Sequence, residues 1–375
     1  MKIAFIIPKI SYSGAPKIMA WVANGMVSRG HSVTIIAIYG SKCEQFLDKK
    51  VRVVFLRGKQ NRNWFIRNTV GLISAVRSCR KTIKKMKPDA IISFLDSMSY
   101  VYILMNKLFW RDTIISSERV DPCSRHGFNA FMNYKAIKRS DLIVFQTGEA
   151  EEYYKKKNHK LNSCVIPNPV IVNAVMKEAI KRRKETVLDK EKMKIVSVGR
   201  LSITQKRQDV LLKALSELRK NNISFIAYIY GAGEDEDKVK KMIRDCSLEK
   251  NVLLMGQQDN VLLKIFDSNC FVLTSDFEGI PNALMEAMSI GIPCISTDCS
   301  PGGARLLITD GENGFIVDRG DYLKIAERIM WVGSHKCESE IIGNNATAIT
   351  KKFSEEKVMD LWENEIKHMG ENKNV

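Results

Sequence analysis

The hydrophobic positions of this chain come in short continuous runs, separated by longer stretches with helical spacing. KIAFIIP, HSVTIIAIY and VRVVFL read as strands, and DAIISFL, TIISSE and DLIVFQT follow. Residues 14–29 read as a helix ending near Gly30, and residues 62–87 as a long helix stopped before Pro88. The two prolines of NSCVIPNPVI then break the regular pattern, and the charged stretch 174–193 reads as a crossing segment. At KIVSVGR the pattern restarts: a helix near 206–220, then FIAYIYG, NVLLMG, CFVLTS, IPCIST and GFIV, with a polar helical tail. Strands separated by helices of this length imply βαβ units and parallel sheets. The expected fold is α/β, with two Rossmann-like halves. Residues 1–185 form the first domain and 186–350 the second, while 351–375 form a closing helix that packs back on the first. Open parallel sheets bind ligands at the carboxyl ends of their strands. Two such sheets facing each other would set that site in a cleft.

Length and composition narrow the class. A chain of 375 residues suits two domains, and 45% hydrophobic content suits a globular protein. The nine cysteines are scattered without a C-x-x-C, and several lie inside strand-like runs, as Cys270 and Cys294 do. They read as buried small hydrophobes in a reducing compartment rather than as a disulfide framework or a zinc site. No run approaches the ~20 apolar residues of a membrane span, and the N-terminus does not read as a signal peptide. The expectation is a cytoplasmic protein that does not cross a membrane.

The candidate chemistry lies in loops that follow strands of the second half. Arg200 and Lys206 follow KIVSVG; Gly231-Ala-Gly233 follows FIAYIYG; Gln257, Gln258, Asp259 and Asn260 follow NVLLMG. After CFVLTS comes Glu278, then Gly279, Ile280, Pro281 and Asn282, with Glu286 further on. Gly279 permits a sharp bend, and Pro281 suits the first position of a helix over 281–290. That helix would offer unpaired N–H groups and a positive dipole end to an anion, with Arg200 and Lys206 adding formal charge. Glu286 can accept from the paired hydroxyls of a ribose, and Glu278 from a second polyhydroxylated ring. Together they fit a nucleoside diphosphate sugar. Asp235-Glu236-Asp237 forms a D-x-D string, but at a helix start its acids suit the dipole; no metal role is expected.

The stretch E-G-I-P-N-A-L-M-E, a Glu-x7-Glu motif, occurs with GRLSITQKRQDVLLKA, YGAGED, NVLLMGQQDNV and GENGFIV. With PDAIISFLD, ISSERVDP, VIPNPV and the Gly14 loop, it resembles the retaining glycosyltransferases of family 4, which have the GT-B fold, most of all bacterial members that build lipid-linked or surface glycans. The resemblance implies that Arg200 and Lys206 hold the donor diphosphate, that Glu286 binds the ribose and that Glu278 lies against the transferred sugar. It implies that the 279–282 turn faces the phosphates, that Gly14 approaches the donor from the other domain, and that neither metal nor cofactor is needed. Many relatives carry a histidine after the strand-borne Ser-Glu, where this chain has Arg119. Asp96, Glu118 and Arg119 remain acceptor-side candidates, and His126 reads as a surface histidine.

Charge is divided unevenly. Residues 1–185 hold 34 Lys and Arg against 13 Asp and Glu, within a whole-chain net of +17. Between Asp48 and Asp89 there are 13 basic residues and no acidic one. There Trp64, Phe65, Ile66, Leu72 and Ile73 mix with Arg77, Arg80, Lys81, Lys84, Lys85 and Lys87, a composition suited to an anionic membrane surface. Ile73 and Val76 read as core positions instead. No nucleic-acid module is present. The leading reading is a retaining, peripheral-membrane glycosyltransferase on the inner face of the cell membrane. It would move a hexose or N-acetylhexosamine from a nucleotide sugar, UDP-linked, to a polyprenyl-diphosphate-linked glycan in surface polysaccharide assembly. The alternatives are another nucleotide-sugar enzyme of this fold, an epimerase or hydrolase, and a non-catalytic nucleotide-sugar-binding protein.

Overall fold

The computed structural model describes residues 1–11, 14–40, 42–43, 45–56, 70–94, 97–189 and 191–371; the side chains of 70–73 and 97–98 are not described. Asp96, Trp64, Phe65 and Ile66 fall outside the described residues, as do the side chains of Leu72 and Ile73. The chain divides into two compact units, Met1–Asn168 with Glu356–Val375, and Pro169–Glu355.

The first unit holds seven parallel strands: β1 (Lys2–Ile7), β2 (Ser32–Ala37), β3 (Arg52–Phe55), β4 (Ala90–Phe94), β5 (Ile114–Ser117), β6 (Leu142–Phe145) and β7 (Ser163–Val165), in the order β3-β2-β1-β4-β5-β6-β7. Almost every residue of β1, β4, β5 and β6 is buried. Continuous apolar runs are what parallel strands covered on both faces require. The helices Val70–Met86, Ser97–Phe109, Gly127–Ile137 and Gly148–Lys157 supply one layer, which buries Val76, Ile83, Tyr100, Ile103 and Ile137 against Ile6, Ile91 and Ile143. The helix Gly14–Ser28 and the terminal helix Glu355–Glu371 cover the other face, where Met19 and Met26 meet Val358 and Ile366. Trp362 of that terminal helix is fully buried and stacks on Phe94 with centroids 6.4 Å apart.

The second unit has six parallel strands: β8 (Met193–Val198), β9 (Phe225–Tyr230), β10 (Val252–Gly256), β11 (Cys270–Leu273), β12 (Cys294–Thr297) and β13 (Phe315–Val317), ordered β10-β9-β8-β11-β12-β13. β8 therefore pairs with β11 across a reversal of strand order, as β1 pairs with β4 in the first unit. The loops leaving two such strands diverge to opposite faces and open a crevice, where this class of sheet binds ligands.

Three local features differ from the sequence reading. The units divide at 168/169 rather than 185/186, because the helix Ala174–Glu185 buries Met176 and Ala179 in the second unit's core. Arg183 of that helix also donates to the carbonyls of Phe266 and Ser268 at 3.0 and 2.6 Å. The helix placed at 206–220 starts at Gln208, since Arg207 takes a left-handed conformation and separates it from the short helix Ile203–Lys206. Pro281 precedes the helix Asn282–Ser289 instead of opening it; its extended backbone, ψ 99°, sets the chain's entry angle.

Candidate active site

β8 is followed by Gly199 and Arg200 and then by the short helix Ile203–Lys206. Asp235 accepts from the Ile203 N–H at 2.9 Å and from Lys238, which together hold its carboxyl below the usual range. The first carboxylate of the D-x-D string is thus anchoring the Lys206 turn. β11 ends one strand away and runs into Thr274, Ser275, Asp276, Phe277 and Glu278. The two loops are stitched together. Thr274 Oγ1 donates to the Lys206 carbonyl at 2.8 Å, Asp276 N–H to the Gln205 carbonyl at 2.9 Å, and Gln205 Nε2 to the Phe277 carbonyl at 3.2 Å. Lys206 Nζ forms an ion pair with Glu278 Oε1, which also accepts from Ser275 Oγ at 2.8 Å. Both partners are mostly buried, their side chains 17% and 12% exposed. Arg200 is exposed, with Nη2 donating to Gln205 Oε1 at 3.0 Å and its carbonyl held by Gln208 Nε2 at 2.9 Å.

Glycines let the backbone close up here. A Cβ on Gly231, which lies at φ +134°, would come 1.9 Å from the Gly199 carbonyl oxygen, and one on Gly233 would come 2.1 Å from that of Leu201. The loop after β9 is therefore packed on the Arg200 loop at a distance that only glycine allows. The Glu278 turn is pinned similarly: its N–H donates to the Ser300 carbonyl at 2.8 Å, and a Cβ on Gly303 would come 1.8 Å from the Gly279 oxygen. Ile280 and Pro281 are buried behind it. The first N–H groups of the helix Asn282–Ser289 have no intrahelical acceptor by geometry, and Glu286 sits half-buried one turn beyond Asn282.

The second unit thus brings Arg200, Lys206, Glu278 and the 279–282 turn to one place. Gln257 is exposed after β10, which lies two strands from β8, with Gly231 on the loop between. Gly14, Glu118 and Arg119 belong to the first unit. Gly14 is exposed and opens the helix that follows β1. Glu118 is wholly buried, accepting from the N–H groups of Arg119 and Val120, from Arg125 Nη2 at 2.9 Å and from Asn133 Nδ2 at 2.5 Å. Arg119 donates to Ser117 Oγ at 2.7 Å and Asn168 Oδ1 at 2.9 Å, and its guanidinium lies over the rings of Phe94 and Trp362. Burial pulls it down to about 9. His126 is exposed.

One contributor escaped the sequence reading. Arg207, at φ 50°, makes a bidentate pair with Asp209 at 2.9 and 3.0 Å and reaches Asp276 at 2.8 Å. It clasps the loop after β8 to the loop after β11. These hydrogen bonds to two carboxylates raise it above the ordinary arginine value. The Arg207–Asp209 spacing was visible in sequence; the partnership with Asp276 was not.

A cationic loop and an acid-bearing turn thus meet where a parallel sheet reverses its strand order. Residues 178–348 match the glycosyl transferases group 1 family. Over 261 residues it is 29% identical to an uncharacterized glycosyltransferase of Methanocaldococcus jannaschii, covering 64% of this chain and 63% of that protein, a little under two thirds of its length. It is 25% identical, over the full length of both chains, to a Campylobacter jejuni protein. That protein is named as an alpha-1,4-N-acetyl-D-galactosaminyltransferase acting on a GalNAc- and diNAcBac-containing PP-undecaprenol. The crystal structure of Anabaena HepE with UDP and glucose superposes with a TM-score of 0.76 at 16% identity, covering 98% of this chain and 99% of that one. The fold is that of the GT-B glycosyltransferases.

Proposed function

We propose that this protein is a retaining, metal-independent family 4 glycosyltransferase. It moves a hexose or N-acetylhexosamine from a UDP-sugar to a polyprenyl-diphosphate-linked glycan, working on the inner face of the membrane. The reading rests on one observation above all: Lys206 and Glu278 are paired at the β8/β11 reversal, with Arg200 beside them. The printed activity of the Campylobacter jejuni relative supports a lipid-linked acceptor, and the UDP and glucose bound to HepE support the donor class. The second unit takes the donor and the first unit the acceptor.

The chemistry follows from charge. As the glycosidic bond to the diphosphate breaks, negative charge grows on the leaving oxygen. Arg200, Lys206 and the N-terminus of Asn282–Ser289 are fixed in place before that charge develops. Stabilisation of this kind costs no reorganisation during the reaction. Glu278 already draws on Lys206, so an arriving diphosphate shares that ammonium and leaves the carboxylate to hold sugar hydroxyls. Glu286 takes the ribose, and the 256–260 loop with Gln257 takes the base through main-chain atoms. Gly14 approaches the donor and Asp96 and Arg119 serve the acceptor side, while the buried Glu118 acts only by holding the Arg119–Val120 backbone and Arg125 in place.

The test is transfer of radiolabelled sugar from UDP-sugars to a bacterial lipid extract. Label in the lipid phase is expected, lost when Arg200 and Lys206 are both replaced by alanine. Near-normal transfer by that double variant would remove the assignment. Label found only in free sugar would favour the hydrolase or epimerase alternative, and donor binding without turnover the binding-protein alternative.

A further inference from the structure

We infer that three of the four helices in one layer of the first unit, Val70–Met86, Ser97–Phe109 and Gly127–Ile137, form a membrane-docking face that seats on an anionic lipid surface. Phe128 and Phe131 are its inserting residues. The inference deepens the functional reading above and rests on it for the choice of a lipid surface.

Four observations carry it. First, the three helices pack on one face of the sheet, Val76, Ile83, Tyr100, Ile103 and Ile137 facing inward, so their remaining residues look outward together. Second, Phe128 and Phe131 are 74% and 53% exposed on one side of Gly127–Ile137, their rings 6.4 Å apart, with Lys135 Nζ 5.3 Å from the Phe131 ring. Leu108 and Phe109, 67% and 65% exposed, end the neighbouring helix. Third, none of the three helices contains an aspartate or glutamate, while they carry Arg77, Lys81, Lys84, Lys85 and Lys135, besides Arg80 and Lys107, which pair with Asp112 and Asp141 in the flanking loops. Fourth, Arg77, Lys81, Lys84 and Lys85 are exposed, so the charge is presented outward and not spent inside the unit. Exposed aromatics on helices that carry cations and no acid of their own suit the boundary between headgroups and acyl chains, where apolar tips insert and ammonium groups meet phosphates. A protein partner would have to be acidic throughout and still accommodate bare aromatic rings; an anionic bilayer is both at once. Among the described residues no helix is long and apolar enough to cross a membrane, which fits attachment from one side.

The experiment is co-sedimentation of the full chain with phosphatidylglycerol–phosphatidylcholine vesicles and with phosphatidylcholine vesicles, without donor or acceptor. Binding at least roughly tenfold stronger to the anionic vesicles is expected, weakening as salt is raised. The F128S/F131S variant should bind roughly tenfold more weakly with an unchanged melting temperature, since both rings are exposed. K81E/K84E should abolish the preference for anionic vesicles. Three results would each overturn the proposal: wild-type binding by the F128S/F131S variant, no vesicle binding by the wild type, or a concentration-dependent dimer that F128S/F131S dissolves, which would make the occupant a second copy. Because no sugar is transferred in this assay, a chain that docks but does not transfer counts against the enzymatic reading alone.

Discussion

Lys206 and Glu278, seventy-two residues apart, are joined by an ion pair at the point where the second sheet reverses its strand order. Neither side chain is more than 17% exposed, so the pair is shielded from most solvent screening. Removing one partner leaves the other charged and half-desolvated. Lys206→Ala should therefore lower kcat/KM by about 10²–10³, or roughly 3–4 kcal/mol, as for other preorganised stabilisers of a leaving oxygen. Glu278→Gln keeps the Ser275 contact and should lower kcat while donor affinity, read by calorimetric titration, changes by only a few-fold.

Arg207 should act as a positioning residue. Arg207→Ala severs three hydrogen bonds to Asp209 and Asp276, and the expected loss is about 2 kcal/mol of unfolding free energy in urea, accompanied by a raised donor KM. Arg207→Lys should not restore it, because an ammonium cannot make the bidentate contact. Arg207→Gly should recover part of the loss, since a left-handed residue costs less as glycine.

The glycine contact between the loops after β8 and β9 sets up a sharper comparison. Gly231→Ala puts a methyl group against the Gly199 backbone, where nothing can rotate away. Loss of several kcal/mol of stability or displacement of Arg200 is expected, seen as weaker UDP binding by titration. Gly311→Ala also sits at positive φ, +76°, but with no heavy atom within 4 Å of the added carbon. It should cost only about 1 kcal/mol and leave UDP binding intact.

Acid should loosen the terminal helix. Lys367, His31 and Arg29 all hydrogen-bond Glu363 and hold its carboxyl down to about 2, with Asp360 sharing Arg29. An acid depressed in the folded state adds stability above its unfolded value near 4.3, and that contribution fades as pH falls toward about 2. Glu363→Gln should thus unfold about 1–2 kcal/mol more easily than wild type at pH 6, the figure reduced for partial exposure. The gap should shrink below pH 4.5 and close near pH 2 in pH-dependent thermal melts.

Much of the architecture was written in local pattern. Buried parallel strands must be apolar on both faces, so AIISF, LIVF and CFVL declare themselves without tertiary knowledge. A Glu-Gly-Ile-Pro turn before a helix is legible for the same kind of reason, because bend, entry angle and dipole all lie within a few residues. Helix starts were harder. Left-handed Arg207 looks like any helix former in sequence, and its conformation is held by Asp276, sixty-nine residues away.

What the sequence alone determined is therefore the succession of strands and helices, and the chemical types waiting at their ends. Only the tertiary structure decided which ends meet. β8 lies beside β11 because whole layers of helices must cover the sheet on both faces, and no short window of residues encodes that arrangement. The same holds for Gly231 against Gly199, for Arg207 between two aspartates and for Trp362 returning from the chain's end to stack on Phe94. Each depends on the summed burial of a unit, a quantity that exists only once the chain has folded.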